Sequence, residues 1–600
     1  MTTDDVSDAQ ATGENLAKLE ANMERVEELT QRLLVAMGQG RAVPPSLQGP
    51  NQDLYLKAVT GYWQEMMNNP AKLLEHQMGF WTENVRHFVE AQHKLAQGKL
   101  EPATDDTPKD RRFAHEMWET HPYFNYIKQQ YLRNAEAIRT AIEDVSDMDP
   151  AEKKRLRYFG QQIVDLFSPT NFLATNPEAL TLAAETDGES LVKGLENLVR
   201  DLEANNGDLV VTLADRDAFK VGENLATTPG SVVFRNHLFE LIQYAPTTEK
   251  VHSTPLIIFP PWINKFYIMD LKEQNSLIKW IVDQGYTLFV VSWVNPDVSY
   301  KDTSMSDYVE DGYLTAIEQV QQICGVKKIN AIGYCIAGTT LSLTLALSKK
   351  RKANAVKSAT FFTTLTDFSD RGEVGVFLED DFMAGIERQV EEDGILDSFY
   401  MSRTFSYLRS RDLIYGPAIK SYMMGQAPPA FDLLYWNGDG TNLPGCMAMQ
   451  YLKGLCRDDT FANGTGFEIC GEVVHLKDVD VPLCAIACET DHIAAWDASY
   501  RGVQGMGAKD KTFILSESGH IAGIVNPPSK KKYGHYTHDD LSLPPEDWRA
   551  AADRHDGSWW HRWEEWLRKR SGAKVKARAP GTDSHPVLCP APGTYVTAQP

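Results

Sequence analysis

The 600-residue sequence predicts an α/β fold built on a parallel β-sheet, and three features of the sequence indicate it. Short, solidly apolar runs recur after residue 209, as expected of strands that are buried on both faces. Helical segments alternate with these runs, and such alternation is typical of parallel sheets. One apolar run leads through a glycine turn into a Leu-rich helix, with Cys335 at the turn.

The strands can be assigned in chain order from these runs. Three short runs come first and are expected to be antiparallel strands: Val210–Thr212, Ser231–Phe234 and Phe239–Tyr244. Six further runs are candidate strands of the central sheet: Pro255–Phe259, Thr287–Ser292, Ile329–Ile332, Phe361–Thr364, Val481–Ala487 and Thr512–Leu515. The Trp-rich segment Ser558–Leu567 is predicted to be a helix, followed by a basic tail.

Cys335 lies in the pattern Gly333-Tyr334-Cys335-Ile336-Ala337, between a predicted strand and a predicted helix. Small residues two before and two after a nucleophile keep side chains out of the adjoining strand and helix, as in the nucleophile elbow of α/β-hydrolases. The usual pattern is Gly-x-Ser-x-Gly, so this chain departs from it at Cys335 and at Ala337. A buried structural cysteine beside a glycine turn is the alternative interpretation.

Candidate partners of Cys335 follow two later strands. Asp491 comes after the run Val481–Ala487, and His520 comes after Thr512–Leu515. The carboxyl ends of parallel strands meet at one edge of a sheet, and the order nucleophile, acid, histidine is that of an α/β-hydrolase. We therefore predict Cys335 as nucleophile, Asp491 as acid and His520 as base.

Two alternatives stay open at this point, namely Glu489 for the acid and His492 for the base. The candidates for the oxyanion hole are two backbone N–H groups. One belongs to Ile336, directly after the nucleophile, and the other to Ile263, in the loop after the first run of the central sheet. No residue is assigned to substrate binding from the sequence.

The spacing of apolar residues also changes along the chain, and this change predicts separate domains. Residues 1–208 are predicted to be a mainly helical N-terminal region, with disorder in the first residues and apolar positions at helical spacing from Leu54 to Leu100. Residues 209–600 are predicted to form the α/β-hydrolase catalytic domain. Within it, residues from about 371 to 475 lack sheet periodicity and lie where this fold carries a cap or lid over the nucleophile.

Composition and charge argue against several classes of function. The net charge of −22 and the lack of a basic stripe argue against a nucleic-acid partner. No run of about twenty apolar residues could cross a membrane, and the acidic first residues resemble neither a secretory signal nor a transit peptide. Eight scattered cysteines are typical of a reduced, cytoplasmic protein. No metal site is expected, because the pattern His535-x-x-His538 is interpreted as ordinary surface.

Several longer segments carry a resemblance to a known family. They are GYCIAGTT around Cys335, PPWINKFYIMDL from Pro260, SWVNPD from Ser292, FDLLYWNGDGTNLPG from Phe431, DHI at Asp491, SGHIAGIVNPP from Ser518, GSWW from Gly557 and PAPG near the end. Together they make the chain resemble the polyhydroxyalkanoate synthases of the single-subunit class I type, from about residue 100 to residue 600.

This resemblance implies an acyltransferase with Cys335 as nucleophile, His520 as general base and Asp491 as the third member. Such an enzyme would polymerise 3-hydroxyacyl-CoA, for example 3-hydroxybutyryl-CoA, into a polyester with release of CoA, and it would need no further cofactor. The resemblance also implies a cytoplasmic homodimer on polyester granules, with granule-coat proteins as possible partners. Two alternatives stay open: a thioesterase, esterase or polyester depolymerase of the same fold, and a non-catalytic granule scaffold.

Overall fold

The computed structural model describes residues 21–22, 24–38, 110–145, 148–378 and 380–598. The apolar region expected from Leu54 to Leu100 lies outside these residues. Contacts divide the chain into two compact units. The first holds the described residues up to Asp215 together with Phe405–Pro429, and the second holds Arg216–Thr404 and the described residues from Ala430 onward. The segment Phe405–Pro429 thus groups with the helical unit, although the sequence analysis placed it in the cap insertion.

The first unit is helical. Its helices are residues 24–38, Met117–Thr120, Pro122–Glu143, Pro150–Leu166, Pro177–Glu185, Glu189–Ala204 and the short Gly416–Ala418. Single 3-10 or π turns are Arg111–Phe113, Pro169–Asn171, Leu173–Thr175, Arg411–Tyr415 and Ile419–Met423. Proline suits the first position of a helix, because its missing N–H would have no acceptor there. The Asn176 side chain caps one of these helices by accepting the N–H of Ala179 at 3.1 Å.

The segment Phe405–Pro429 packs closely against the helix Glu189–Ala204 within this unit. The Tyr422 hydroxyl donates to Asp201 Oδ2 at 2.8 Å, and Asp201 is fully buried. A Cβ atom added to Gly194 would lie 2.0 Å from the Tyr422 carbonyl oxygen. The two backbones therefore meet at a point where only glycine fits.

The prediction of a first strand at Val210–Thr212 is wrong, because this segment has no regular structure. Its backbone bonds to a helix side chain and not to a neighbouring strand. The Thr212 N–H donates to Asp201 Oδ2 at 3.0 Å, and the Thr212 hydroxyl donates to Asp201 Oδ1 at 2.7 Å. A segment of β-branched residues does not form a strand unless a partner strand lies beside it.

The described part of the second unit contains seventeen strands. In chain order they are β1 Gly230–Arg235, β2 Phe239–Tyr244, β3 Lys250–His252, β4 Leu256–Phe259, β5 Leu288–Trp293, β6 Ile329–Tyr334, β7 Val356–Phe362, β8 Ile395–Leu396, β9 Leu443–Pro444, β10 Phe467–Ile469, β11 Glu472–Val474, β12 Leu483–Cys488, β13 Lys511–Ser516, β14 His535–Thr537, β15 Asp553–His555, β16 Lys574–Lys576 and β17 Cys589–Pro590.

Eleven of these strands form one sheet in the order β15-β14-β13-β12-β7-β6-β4-β5-β2-β1-β17. The central six, from β13 to β5, pair in parallel. The outer strands pair antiparallel, including β1 with β2 as predicted. Strands β4, β5, β6 and β12 are buried along their whole length, which is why their sequences are mostly apolar. The predicted α/β class is confirmed.

The second unit also contains helices and helical turns, and one of these helices, Ser398–Leu408, continues into the first unit from Phe405. The α-helices are Leu277–Asp283, Met305–Asp307, Thr315–Cys324, Ile336–Lys350, Asp380–Asp393, Ser398–Leu408, Asp432–Asn437, Gly445–Met449, Trp496–Gly505, Pro545–Ala551 and Trp560–Arg568. Two π-helical segments are Tyr308–Leu314 and Gln450–Arg457, and the 3-10 turns are Phe266–Asp270, Glu273–Asn275, Val298–Tyr300, Gly372–Leu378, Leu476–Asp478, Pro528–Lys530 and Tyr595–Thr597.

The Trp-rich helix, predicted as Ser558–Leu567 and observed as Trp560–Arg568, anchors the loop that follows β13. The indole N–H of Trp559 donates to the Gly523 carbonyl at 2.7 Å, and that of Trp560 donates to the Ile524 carbonyl at 2.9 Å. Because both indoles are buried, these hydrogen bonds fix the loop that begins after Ser516.

The pattern His535-x-x-His538 is not the surface loop that the sequence suggested. Residues His535–Thr537 form β14 at the side of the main sheet, and His535 is only 4% exposed. Its Nδ1 lies 3.0 Å from the Gly557 carbonyl oxygen. A strand of three residues is too short for an apolar alternation to be visible in the sequence.

Candidate active site

Cys335 lies in the turn between β6 and the helix Ile336–Lys350, which we call the nucleophile helix. Its backbone has φ 55° and ψ −128°, at positive φ where residues other than glycine are rare. The Cys335 N–H donates to the Phe362 carbonyl at 2.8 Å, and its carbonyl accepts the Gly338 N–H at 2.8 Å. Backbone strain held by such contacts is typical of functional sites, and this is the geometry expected of a nucleophile elbow.

The elbow depends on two glycines. A Cβ atom on Gly333 would lie 2.5 Å from Gly338 Cα, so the strand and the helix touch here through their backbones. A Cβ atom on Gly338 would lie 2.0 Å from Thr364 Oγ1. Ala337 is fully buried with its methyl group accommodated. The small residue required after the nucleophile is therefore Gly338, one position later than the pattern predicted.

The structure brings His520 and Asp491 together. His520 Nδ1 lies 2.6 Å from Asp491 Oδ2. The other carboxylate oxygen, Oδ1, accepts the backbone N–H groups of Ile493 at 2.8 Å and Ala494 at 2.9 Å. The Asp491 side chain is fully buried, so these three hydrogen bonds compensate for the lost hydration of its charge. They fix the carboxylate, which in turn fixes the imidazole ring.

His520 also interacts with Cys335. Burial by itself lowers the pKa of His520, but the charges of Asp491 and Cys335, and hydrogen bonds to both side chains, raise that pKa well above its ordinary value. Since Asp491 engages Nδ1, the ring nitrogen available to the Cys335 thiol is Nε2. The imidazole is thus placed to accept the thiol proton and to hold it between two anions.

Tyr334, the residue before Cys335, supports the His520 ring. The two rings stack with centroids 6.0 Å apart and an interplanar angle of 29°. The Tyr334 hydroxyl donates to the His520 carbonyl at 3.3 Å. The last residue of β6 therefore positions the histidine loop as well as the turn that holds Cys335.

The two candidate oxyanion-hole amides lie on elements that are tied together near the elbow. Ile336 is the first residue of the nucleophile helix, so its N–H has no acceptor within the helix. Ile263 lies in the loop after β4, and its carbonyl accepts the Thr441 N–H at 3.1 Å. Its neighbour Trp262 donates from Nε1 to Thr340 Oγ1, in the nucleophile helix, at 3.2 Å. This hydrogen bond joins the loop of Ile263 to the helix of Ile336.

The contacts of Glu489 and His520 distinguish between the candidate acids and between the candidate bases. Glu489, the other candidate acid, accepts Arg549 Nη2 at 2.7 Å and Arg549 Nε at 3.0 Å. Its carboxylate is therefore engaged by an arginine. Of the two candidate histidines, His520 makes the 2.6 Å contact with Asp491. We therefore retain Asp491 and His520.

Sequence reasoning missed Tyr451, which the insertion between β7 and β12 brings to the elbow. Its ring packs edge-on against Trp262 with centroids 5.3 Å apart. Its hydroxyl is within hydrogen-bonding reach of Cys456 and Thr339, and burial, with smaller contributions from the charges of Cys456 and Cys335, raises its pKa well above the ordinary value. A single tyrosine in a stretch without periodicity resembles any core tyrosine, so no signal in the sequence distinguishes it.

No three His, Cys, Asp or Glu side chains of the described residues are arranged to hold a metal ion. No helix in the same part of the chain is long and apolar enough to cross a membrane.

The chain is similar to known proteins over most of its length. Residues 109–281 match the family described as Poly-beta-hydroxybutyrate polymerase (PhaC) N-terminus, and residues 255–527 match the α/β-hydrolase fold family. A poly(3-hydroxyalkanoate) polymerase of Methylorubrum extorquens is 40% identical over 563 residues, covering 93% of each chain. The poly(3-hydroxyalkanoate) polymerase subunit PhaC of Cupriavidus necator is 40% identical over 566 residues, 93% of this chain and 90% of the relative. Poly(3-hydroxyalkanoate) polymerase 2 of Ectopseudomonas oleovorans is 36% identical over 524 residues, 86% of this chain and 92% of the relative.

Proposed function

The chain belongs to the poly(3-hydroxyalkanoate) polymerase family, and we propose that it polymerises 3-hydroxyacyl-CoA into a polyester with release of CoA. The observation that carries this proposal is that His520 interacts with both Asp491 and Cys335 beside a strained elbow. The reaction is an acyl transfer of the class I type, with a short-chain substrate such as 3-hydroxybutyryl-CoA. The thioester brings its own activated acyl group, so this chemistry requires no further cofactor.

In the first half of the cycle, His520 accepts the proton of the Cys335 thiol. The thiolate attacks the thioester carbonyl, and the backbone N–H groups of Ile336 and Ile263 bind the oxygen that becomes negative. The carbon–sulfur bond to CoA then breaks. The departing CoA thiolate takes the proton from His520, which leaves the acyl group on Cys335 as a new thioester.

In the second half, the hydroxyl group of an acyl unit attacks this thioester and gives its proton to His520. The bond from the acyl carbon to Cys335 breaks, and the sulfur regains the proton from His520. An ester bond has formed and the chain is one unit longer. The 2.6 Å contact with His520 Nδ1 favours an orienting role for Asp491 over direct activation of the hydroxyl.

A cysteine suits this chemistry better than the usual serine. Attack by a thiolate on an acyl-CoA exchanges one thioester for another, so the acyl group remains activated, and its transfer to a hydroxyl is downhill. A serine would form an oxygen ester no more reactive than the bonds of the polymer. The departure of Cys335 from the Gly-x-Ser-x-Gly pattern therefore favours chain growth.

For the rest of the chain we infer a cap role for residues from about 371 to 475, and dimer formation and granule attachment for residues 1–208. The product is an insoluble apolar polyester, and a protein that holds it needs apolar surface. Leu166, Phe167 and Phe172 of the helical unit are 42%, 63% and 48% exposed and could supply part of that surface. The protein would then act in the cytoplasm as a homodimer on polyester granules, where granule-coat proteins could join it.

The proposal is tested by incubating the purified protein with 3-hydroxybutyryl-CoA and following both CoA release and product. We expect CoA release together with polymer. CoA release with free 3-hydroxybutyrate would instead indicate a thioesterase or depolymerase, in which water replaces the hydroxyl acceptor. No CoA release would indicate a granule scaffold.

Cys335→Ala is the variant that tests the assignment of the nucleophile. We expect it to fold and to lose CoA release, because the thiol is absent and a methyl group fits the turn. Cys324→Ala serves as the matched control, since Cys324 ends the helix Thr315–Cys324 outside the elbow. Substantial turnover by Cys335→Ala would exclude Cys335 as the nucleophile.

A further inference from the structure

The protein and its proposed substrate are both negatively charged and therefore repel each other. The chain carries a net charge of −22, whereas a CoA thioester carries a diphosphate and a 3′-phosphate at the end of its pantetheine arm. Repulsion of this kind slows encounter and weakens binding unless a local cationic patch offsets it. Such a patch must lie on the edge of the sheet that holds Cys335, within reach of that arm.

Three consecutive lysines occupy this edge. Lys530, Lys531 and Lys532 are exposed and lie between the histidine loop and β14. Strands β13 and β14 are antiparallel, and Ser516, the last residue of β13, pairs with His535, the first residue of β14. The chain before His535 therefore lies where β13 ends, which is the edge that also carries His520.

Tyr533 connects these lysines to the histidine loop. Lys532 Nζ lies over the Tyr533 ring, 4.9 Å from its centroid. Hydrogen bonds to the side chains of Lys532 and Ser518 lower the pKa of Tyr533, and the charges of Lys532 and Lys530 act in the same direction. Ser518 is only two residues before His520, so the cations stand beside the loop that carries the base.

These lysines are also available to an anion. Within the described part of the chain, none of the three is within ion-pair distance of a carboxylate. Some lysines elsewhere pair with a carboxylate, for example Lys349 with Asp480 at 3.3 Å. Since an unpaired cation cluster repels itself in an otherwise acidic protein, an anionic ligand would stabilise it.

We propose that Lys530, Lys531 and Lys532 bind the phosphate groups of the CoA part of the substrate. This inference rests on the proposed function, because it assigns the ligand of the same site. The contacts are charge-assisted and exposed, so they act mainly on substrate capture and not on the chemical step. The variant K530Q/K531Q/K532Q should therefore raise KM and leave kcat nearly unchanged.

The experiment compares three thioesters on the full-length protein: 3-hydroxybutyryl-CoA, its dephospho-CoA analogue and 3-hydroxybutyryl-pantetheine. For the CoA thioester, the triple variant should raise KM about tenfold, and added salt should raise KM less than it does for the wild type. For the pantetheine thioester, which has no nucleotide phosphates, wild type and variant should have the same kcat/KM. The dephospho analogue separates binding of the 3′-phosphate from binding of the diphosphate.

The matched control is K327Q/K328Q/K352Q, which removes the same charge from exposed lysines at the opposite edge of the sheet. Lys327 and Lys328 precede β6, and Lys352 lies just before β7, whose first residue Val356 pairs with Ile329. An equal rise in KM in both triple variants would show that only net charge matters and would overturn the proposal. An unchanged KM in K530Q/K531Q/K532Q would also overturn it. So would a loss of kcat/KM with the pantetheine thioester as large as the loss with the CoA thioester. A wild-type protein that releases no CoA would contradict the proposed function itself, which is a separate outcome.

Discussion

At the scale of single residues, the proposed mechanism depends on where one proton lies. His520 is buried, and burial alone would keep it neutral. Asp491 on one side and Cys335 on the other reverse this preference and raise its pKa. In the proposed mechanism the imidazole holds the proton that the thiol gives up, and the roles of these side chains can be tested through that proton.

The first prediction separates the two candidate histidines by the reactivity of Cys335. Iodoacetamide alkylates the thiolate and not the thiol, so its rate reports the base that takes the thiol proton. We expect His520→Gln to slow alkylation of Cys335 near neutral pH by about tenfold or more. His492→Gln is the matched control and should leave the rate unchanged. The opposite pattern would assign the base to His492.

The second prediction concerns the pH dependence of stability. A histidine whose pKa is raised by folding stabilises the folded state below its unfolded pKa of about 6.5, and this contribution disappears as the pH rises through the folded pKa. Asp491→Asn removes the larger of the two charges that raise the pKa of His520. Its melting temperature should therefore fall further below that of the wild type at pH 6 than at the alkaline end of the folded range. A difference independent of pH would contradict the raised pKa of His520.

At the scale of elements, the elbow is a contact between backbones. Strand β6 and the nucleophile helix approach so closely at Gly333 and Gly338 that no side chain fits between them. Ala337, by contrast, is fully buried without occupying that gap. Positions 337 and 338 should therefore differ in how well they tolerate substitution.

The third prediction is that Gly338→Ala impairs both stability and turnover. The new methyl group would overlap Thr364, and overpacking of this kind costs about 1–3 kcal/mol and shifts the backbone. Adding Thr364→Gly should recover part of the activity, because it removes the side chain that the methyl group meets. Ala337→Gly is the control, with activity kept and about 1 kcal/mol of helix stability lost. Normal turnover by Gly338→Ala, measured as CoA release, would show that the elbow tolerates a side chain there.

Much of this element-level structure could be predicted from the sequence, because it follows from local patterns. Strands β4, β5 and β6 are mostly apolar, and polar residues follow strand ends, so Cys335 and His520 could be predicted as candidate site residues before their contacts were known. Residues whose structure depends on a distant partner were missed. Thr212 is held by Asp201, and Tyr451 reaches the elbow only through the folded insertion. Such contacts leave no periodic signal.

At the scale of the whole molecule, contacts between residues far apart in the sequence close the second unit. Glu240 of β2 is fully buried and accepts the Thr594 N–H and the Thr594 hydroxyl, each at 2.8 Å. Lys265 Nζ donates at 2.8 Å to the carbonyl of Ala598, which follows it by 333 residues. The C-terminal turn is thus attached both to the sheet and to the loop that carries Ile263.

Lys265 therefore connects the end of the chain to a candidate oxyanion-hole loop. Its ammonium group is buried, and burial lowers the pKa of Lys265 although the charge of Asp439 opposes this. Its backbone carbonyl accepts the indole N–H of Trp436 at 2.7 Å. We expect the position of Ile263, two residues earlier, to depend on these attachments.

The fourth prediction is that Lys265→Met lowers kcat about tenfold to hundredfold. It is combined with Asp439→Asn, because the half-buried Asp439 carboxylate would otherwise lose the nearby charge of Lys265. The loop loses its attachment to Ala598, and the Ile263 N–H moves away from the developing oxyanion. Alkylation of Cys335 by iodoacetamide should keep its normal rate, because it requires no oxyanion hole and the elbow and His520 are unchanged. Lys279→Met, which removes a cation from the surface helix Leu277–Asp283, is the control and should alter neither rate. If both rates fall together, the variant disturbs the whole site, and if kcat is unchanged, the C-terminal attachment does not position Ile263.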